Sequence, residues 1–312
     1  MNGAAAALRH RAFVLGGTCF AGLFAVYLLA VRTTPGQRFE DAVLRAAGRV
    51  AGSTEQTRAL DTLDAITAPS VGAAVVLVLL VATVRRRLVP GLLSVAVIAA
   101  SIGTAEVIQH FVGRPLLLAH GYRREDQSFP SGHVAVAMSV MCALVMVVPY
   151  RFRGLVVVLG SVWAAGVGVA TVTAGWHRPS DTVGAGLIAV GYACSAVAVL
   201  ARWGKVREAV VRTPAGRALR AVLAGTYAVV AVAGIAVAAA VVVQPVSDRG
   251  DPAAALLLAG RSLALSASAA VAVALLVLLR HVDLGAPPAD PGEEGRRDVE
   301  PGHAGVHRPS GT

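Results

Sequence analysis

Eight stretches of the chain carry almost no charge: roughly 12–31, 69–84, 88–111, 131–149, 154–174, 180–201, 221–243 and 253–279. A helix needs about 20 apolar residues to cross a hydrocarbon core of ~30 Å, and each stretch approaches or exceeds that length. The runs are continuous and rich in Ala, Val and Leu. Barrel strands would alternate in shorter segments, so the pattern predicts membrane-spanning helices. The first run follows Arg9 and Arg11, is longer than a signal-peptide core and has no small-residue cleavage site, and is therefore expected to stay as a helix.

The polar positions between the runs set an orientation. With the N-terminus inside, the inner loops hold Arg85–Arg87, Arg151 and Arg153, then Arg202, Lys205, Arg207, Arg212, Arg217 and Arg220, as expected where basic residues mark the cytoplasmic side. Segment 32–68 interleaves Arg38, Arg45, Arg49 and Arg58 with Glu40, Asp41, Glu55, Asp61 and Asp64, the composition of an external amphipathic loop. The expected organisation is an all-α polytopic bundle: a cytoplasmic N-terminus 1–11, a helical core 12–201, a basic cytoplasmic loop 202–220, two further helices in 221–280 and a cytoplasmic tail 281–312. That tail, rich in Pro, Gly and charge, lacks the apolar content to build a core and is expected to be disordered.

Composition agrees: 56% hydrophobic residues, 15% charged and a mean hydropathy of +0.68 lie outside soluble usage. The net charge of +10 follows from the inner loops and argues against a nucleic-acid partner, since no soluble basic domain is present. Cys19, Cys142 and Cys194 all fall inside apolar runs, as small packing residues with neither disulfide nor zinc spacing.

Three polar clusters converge on the external side: "GRP" at 113–115, "SFPSGH" at 128–133 and "GWHRPSD" at 175–181. Pro130 and Ser131 open a helix, so the amides of Ser131, Gly132 and His133 are expected as free donors for an anion, with Gly132 letting an oxyanion approach and Arg114 adding a guanidinium. Pro179 suits the first position of the next helix, which places Asp181 within reach of one ring nitrogen of His177. The other nitrogen is then a nucleophile, and His133 remains as general acid. Attack on phosphorus would give a phosphohistidine. No cluster has metal-ligand spacing, and no metal or cofactor is expected.

On Pro130-Ser131-Gly132-His133 and His177-x3-Asp181 the chain resembles the type 2 phosphatidic acid phosphatase (PAP2) superfamily of membrane lipid phosphatases, over roughly residues 12–201. The resemblance implies a six-helix core, metal-independent dephosphorylation, His177 as nucleophile and His133 as acid; the two additional C-terminal helices and the tail lie outside it. The family's motifs are Lys-x6-Arg-Pro, Pro-Ser-Gly-His and Ser-Arg-x5-His-x3-Asp, and this chain departs from them. The lysine falls on Val107, or on Gln109 with a shorter spacing, and Ser-Arg falls on Ala170 and Thr171. Gln109 and Thr171 retain neutral donors. Arg178 either replaces the missing cation or points to lipid headgroups.

The expected activity is hydrolysis, at the external leaflet of the cell membrane, of a lipid phosphate or pyrophosphate such as phosphatidic acid or a polyprenyl carrier. Phosphotransfer to another acceptor and a catalytically weak binding or scaffold protein are the alternatives. Trp176 reads as an interfacial residue. Glu106 and His110, at i,i+4, are either a structural pair or part of the chemistry, while Arg261 either snorkels outward or pairs with Glu106.

Overall fold

The computed structural model describes residues 3–118, 128–209, 214–244 and 251–285. The described residues form ten α-helices: α1 (Gly3–Val26), α2 (Thr34–Arg49), α3 (Thr54–Asp64), α4 (Ala68–Val84), α5 (Leu88–Phe111), α6 (Gly132–Val147), α7 (Arg153–Thr173), α8 (Pro179–Arg202), α9 (Pro214–Val243) and α10 (Pro252–Leu278). A π-helical turn extends α1 to Val31 and a 3-10 turn precedes α7.

Among the described residues, six helical segments are long and apolar enough to cross a membrane, and a seventh span results if α3 and α4, bent by 56° at their junction, are taken as one. The protein is thus a multi-span helical membrane bundle. Of the eight expected segments, 69–84 is half of that bent pair and 131–149 is the 16-residue α6. Helix α6 can be short because it is central: all its residues except Gly132, His133 and Leu144 are buried, against α5, α7 and α8. A helix apolar on every side belongs inside a bundle.

The last two helices differ from each other. Helix α10 packs along α7 and α8 and contributes Val271, Ala272, Leu275 and Leu278 to the main core, whereas α9 packs chiefly on α10.

Segment 32–68 is more ordered than an amphipathic loop. Thr33 caps α2, its hydroxyl accepting from Gly36 N at 3.1 Å, and Ser53 caps α3, accepting from Gln56 N at 3.2 Å. Threonine and serine are preferred there because they satisfy an otherwise unpaired amide. Helix α2 buries Val43, Leu44, Ala46 and Ala47 against α10 and α7, and on the same face Gln37, Glu40 and Asp41.

At the opposite end of the bundle, β1 (Val206–Glu208) pairs antiparallel with β2 (Val282–Leu284). This corrects the expectation for the start of the tail: Val282 and Leu284 are buried, and Asp283 lies 2.9 Å from Arg87, 3.6 Å from Arg153 and 3.8 Å from Arg85. The rest of the tail, 286–312, lies outside the described residues.

Candidate active site

The site is built where α6 and α8 begin. Helix α7 ends in a Schellman turn, with Gly175 N–H donating to Val172 O at 3.1 Å and Trp176 N–H to Thr171 O at 3.1 Å. Gly175 stands at φ +68°, the left-handed region that favours glycine. His177 N–H donates to the same Thr171 carbonyl at 3.2 Å. Pro179 then opens α8, and Asp181 reaches back so that its Oδ2 accepts from Arg178 N–H at 2.9 Å. "GWHRPSD" is thus one helix stop, one turn and one helix start, with His177 held between them.

His177 Nδ1 lies 3.3 Å from Asp181 Oδ2 and 3.1 Å from Ser128 O. Both neighbours are acceptors, so in the neutral ring the proton sits on Nδ1 and the lone pair on Nε2. Asp181 is fully buried, and its second oxygen has no hydrogen-bond partner among the described residues. His133, in the first turn of α6, stands with its ring 6.4 Å from that of His177 and 5.6 Å from that of Trp176. Trp176 is half-buried against His133 and forms a wall of the site.

The loop before α6 is fastened to α8. Phe129 packs where Gly184 leaves space: a Cβ there would come within 2.7 Å of its ring. Ser131 N–H donates to Asp181 O at 3.0 Å, and Ser131 Oγ accepts from Val134 N at 3.4 Å. Ser131's amide is therefore not the free donor expected of it, because docking on α8 uses it. Around Gly132 the space is open, a Cβ meeting nothing within 4 Å. Gln109 donates its amide to Pro130 O and, at 3.5 Å, to Ser128 O, which holds the loop from α5. Thr171, fully buried, donates its hydroxyl to Gly168 O at 2.8 Å within its own helix.

Both arginines point inward. Arg178 is 3% exposed; its Nη1 donates to Ser128 Oγ at 2.9 Å and its Nη2 to Asp41 Oδ1 at 3.4 Å, which excludes an orientation toward headgroups. Arg114 Nη2 donates to Glu40 Oε2 at 2.6 Å. Arg178 Nε and Arg114 Nη1 have no hydrogen-bond partner among the described residues. Glu40 Oε1 in turn accepts from Ser180 N–H at 3.2 Å. Burial and, after it, the Asp181 carboxylate push the Glu40 carboxyl above the usual carboxylate range, against the pull of Arg114 and Ser180.

Helix α2 also carries the Arg114 segment. Gln37 Nε2 donates to Val31 O at 2.8 Å and Pro115 O at 2.6 Å, and Gln37 Oε1 accepts from Leu117 N at 3.3 Å. Glu40, Asp41, Gln37 and Ser128 are the residues that reasoning from sequence missed. A signal existed: Gln37, Glu40, Asp41 and Leu44 fall at helical spacing on one face, so polar groups continue the apolar stripe.

Arg261 pairs with Glu55 Oε1 at 2.5 Å and donates to Thr173 Oγ1 at 3.0 Å. Of its two expected settings, the pairing with Glu106 is set aside. Glu106 and His110 are exposed on α5, with no bond between them among the described residues.

Neither characterised proteins nor solved structures give a match to this chain. Residues 90–207, from the first turn of α5 into β1, match the family described as PAP2 superfamily. The chain therefore carries a PAP2 superfamily domain over that segment, consistent with a PAP2-type membrane protein.

Proposed function

We propose that this protein hydrolyses a lipid phosphate or diphosphate at the external leaflet of the cell membrane through a phosphohistidine at His177. The observation that carries the reading is the Asp181–His177 pair, which engages Nδ1 and leaves Nε2 as the nucleophile, in a ring 6.4 Å from that of His133 at the open start of α6. Nε2 attacks phosphorus in line with the leaving oxygen, and His133 gives that oxygen a proton. His133 then takes a proton from water, whose oxygen attacks the phosphohistidine and releases phosphate and neutral His177. Arg114 and Arg178, each with an N–H unused among the described residues, stabilise the charge on the transferring group. Gln109, Ser131 and Gly132 shape the loop along which the phosphate lies.

Phosphate release from phosphatidic acid and from polyprenyl phosphate and diphosphate, by purified protein in excess EDTA, tests the reading. Wild type is expected to turn over at least one of these lipids, and His177→Ala none. Turnover that requires a divalent ion would contradict the mechanism. Cysteines placed at exposed Thr57 and Arg86 are expected to label from outside and from inside respectively; the reverse pattern would move the substrate to the other leaflet.

A weak binding or scaffold protein is the second reading. One observation favours it: the donors of Gln109 and Thr171 are engaged with backbone carbonyls, and both arginines meet carboxylates. Wild type indistinguishable from His177→Ala on every lipid would select it.

A further inference from the structure

Two guanidinium groups at the site, Arg114 and Arg178, are in contact with carboxylates of α2, and Asp181 is a third carboxylate alongside. All five side chains are largely buried. Among these groups anions outnumber cations, the opposite of what a phosphate dianion requires, and burial magnifies the imbalance because little water screens it.

Glu40 resolves the conflict by its contacts. One oxygen receives a guanidinium N–H from Arg114 and the other a backbone N–H from Ser180 in the first turn of α8. A guanidinium and a helix-start amide are donors that a phosphate would use, so the carboxylate occupies donors that an incoming phosphate needs. Asp41 differs: its partner Arg178 is also fixed by Ser128, at 2.9 Å.

We infer that Glu40 is a positioning residue that holds Arg114 until a phosphate dianion replaces its carboxylate, and that the displaced carboxylate then takes one proton from solvent. The inference rests on the phosphate-binding reading above but not on turnover. The proton leaves a buffer acid or hydronium as the Glu40 O–H forms, the Arg114–Glu40 contact opens, and the site gains a proton with the dianion. Among the described residues, the charged groups acting on Glu40 are Arg114 from the 112–118 segment and Asp181 from the α8 start; His177 pairs with Asp181, Arg178 with Asp41 on Glu40's own helix, and Arg261 of α10 with Glu55. Burial and Asp181 already favour the protonated form.

The test uses full-length protein in detergent with inorganic phosphate as probe. Calorimetry at pH 8 in two buffers of different ionisation heat gives the protons taken up on binding. Wild type is expected to take up more than Glu40→Gln, the difference approaching one proton, and its affinity to fall by up to about tenfold per pH unit above the Glu40 pKa, where Glu40→Gln stays flatter. Glu40→Asp keeps a titratable group and is expected to retain the uptake with weaker binding; it serves if the glutamine variant does not fold. Equal uptake in wild type and Glu40→Gln, no uptake in wild type, or no saturable phosphate binding by wild type would each overturn the inference. Glu40-dependent uptake without release of phosphate from any lipid would instead sink the hydrolase reading alone.

Discussion

Arginines gather at both ends of this bundle, and the groups they touch separate the two ends. At the β1–β2 end, Arg85 donates to Val147 O, Arg87 to Leu284 O, and Arg153 to Val145 O and Val282 O, with Asp283 among them. Those carbonyls belong to the ends of helices and to a strand; they neither titrate nor move without unfolding. At the site end, Arg114 and Arg178 touch side chains: Glu40, Asp41 and Ser128. A carboxylate can be protonated or displaced, a backbone carbonyl cannot. The guanidinium groups of the β1–β2 end are held by backbone carbonyls as well as by Asp283 and clasp the fold, whereas those of the site end are held by side chains that can be protonated or displaced.

The comparison is sharpest at Asp181, where position and chemistry coincide. Asp181→Asn is expected to lower turnover on the order of 10²- to 10⁴-fold, because an amide no longer fixes the Nδ1–H tautomer of His177. Phosphate release on the lipid that wild type prefers measures it; an unchanged rate would remove Asp181 from the chemistry.

The contrast between the ends predicts a contrast in stability. Arg153→Ala leaves the buried carbonyls of Val145 and Val282 without the guanidinium that donates to them, at about 1–3 kcal/mol each, while Asp283 keeps Arg87 and Arg85. Arg114→Ala is expected to cost less, since Glu40 can neutralise by protonation, and to weaken phosphate binding instead. Thermal unfolding of both variants in one detergent decides. A larger loss for Arg114→Ala would erase the distinction.

Restoring the family's second cation at 171 tests the site end differently. Thr171 is fully buried and its carbonyl anchors Trp176 and His177. Thr171→Arg is therefore expected to destabilise by about 1–3 kcal/mol through overpacking and to slow any turnover; acceleration would mean that the turn tolerates the larger side chain.

The smallest effect is a pH dependence of stability. A carboxyl whose folded pKa is raised contributes stability that is fully present below its unfolded pKa, about 4.3, and is lost as pH rises through the folded value. Wild type is expected to lose slightly more thermal stability than Glu40→Gln as pH rises across that window. The opposite sign would mean that Arg114 dominates and that Glu40 is held ionised.

Periodicity and charge by themselves determined the membrane class, the helical bundle and the convergence of His133, His177 and Asp181. Hydrocarbon thickness fixes helix length, and Gly175, Pro179 and Ser131 fix helix ends through local backbone chemistry. Within seven residues of chain, the Asp181–His177 pair is a local fact. The partners of Arg114, Arg178 and Arg261 are Glu40, Asp41 and Glu55, on helices 137 residues away in one case and 74 in another. Composition made those acids look like the solvated face of an outer loop. Only tertiary packing decided that α2 lies down on α10 and α7 and turns Gln37, Glu40 and Asp41 inward, because burying Val43, Leu44 and Ala47 carries their polar neighbours on the same helix face into the bundle. The same holds at the other end, where Val282 and Leu284 are too few to signal a strand alone and become buried because Asp283 meets three arginines that separate parts of the chain supply.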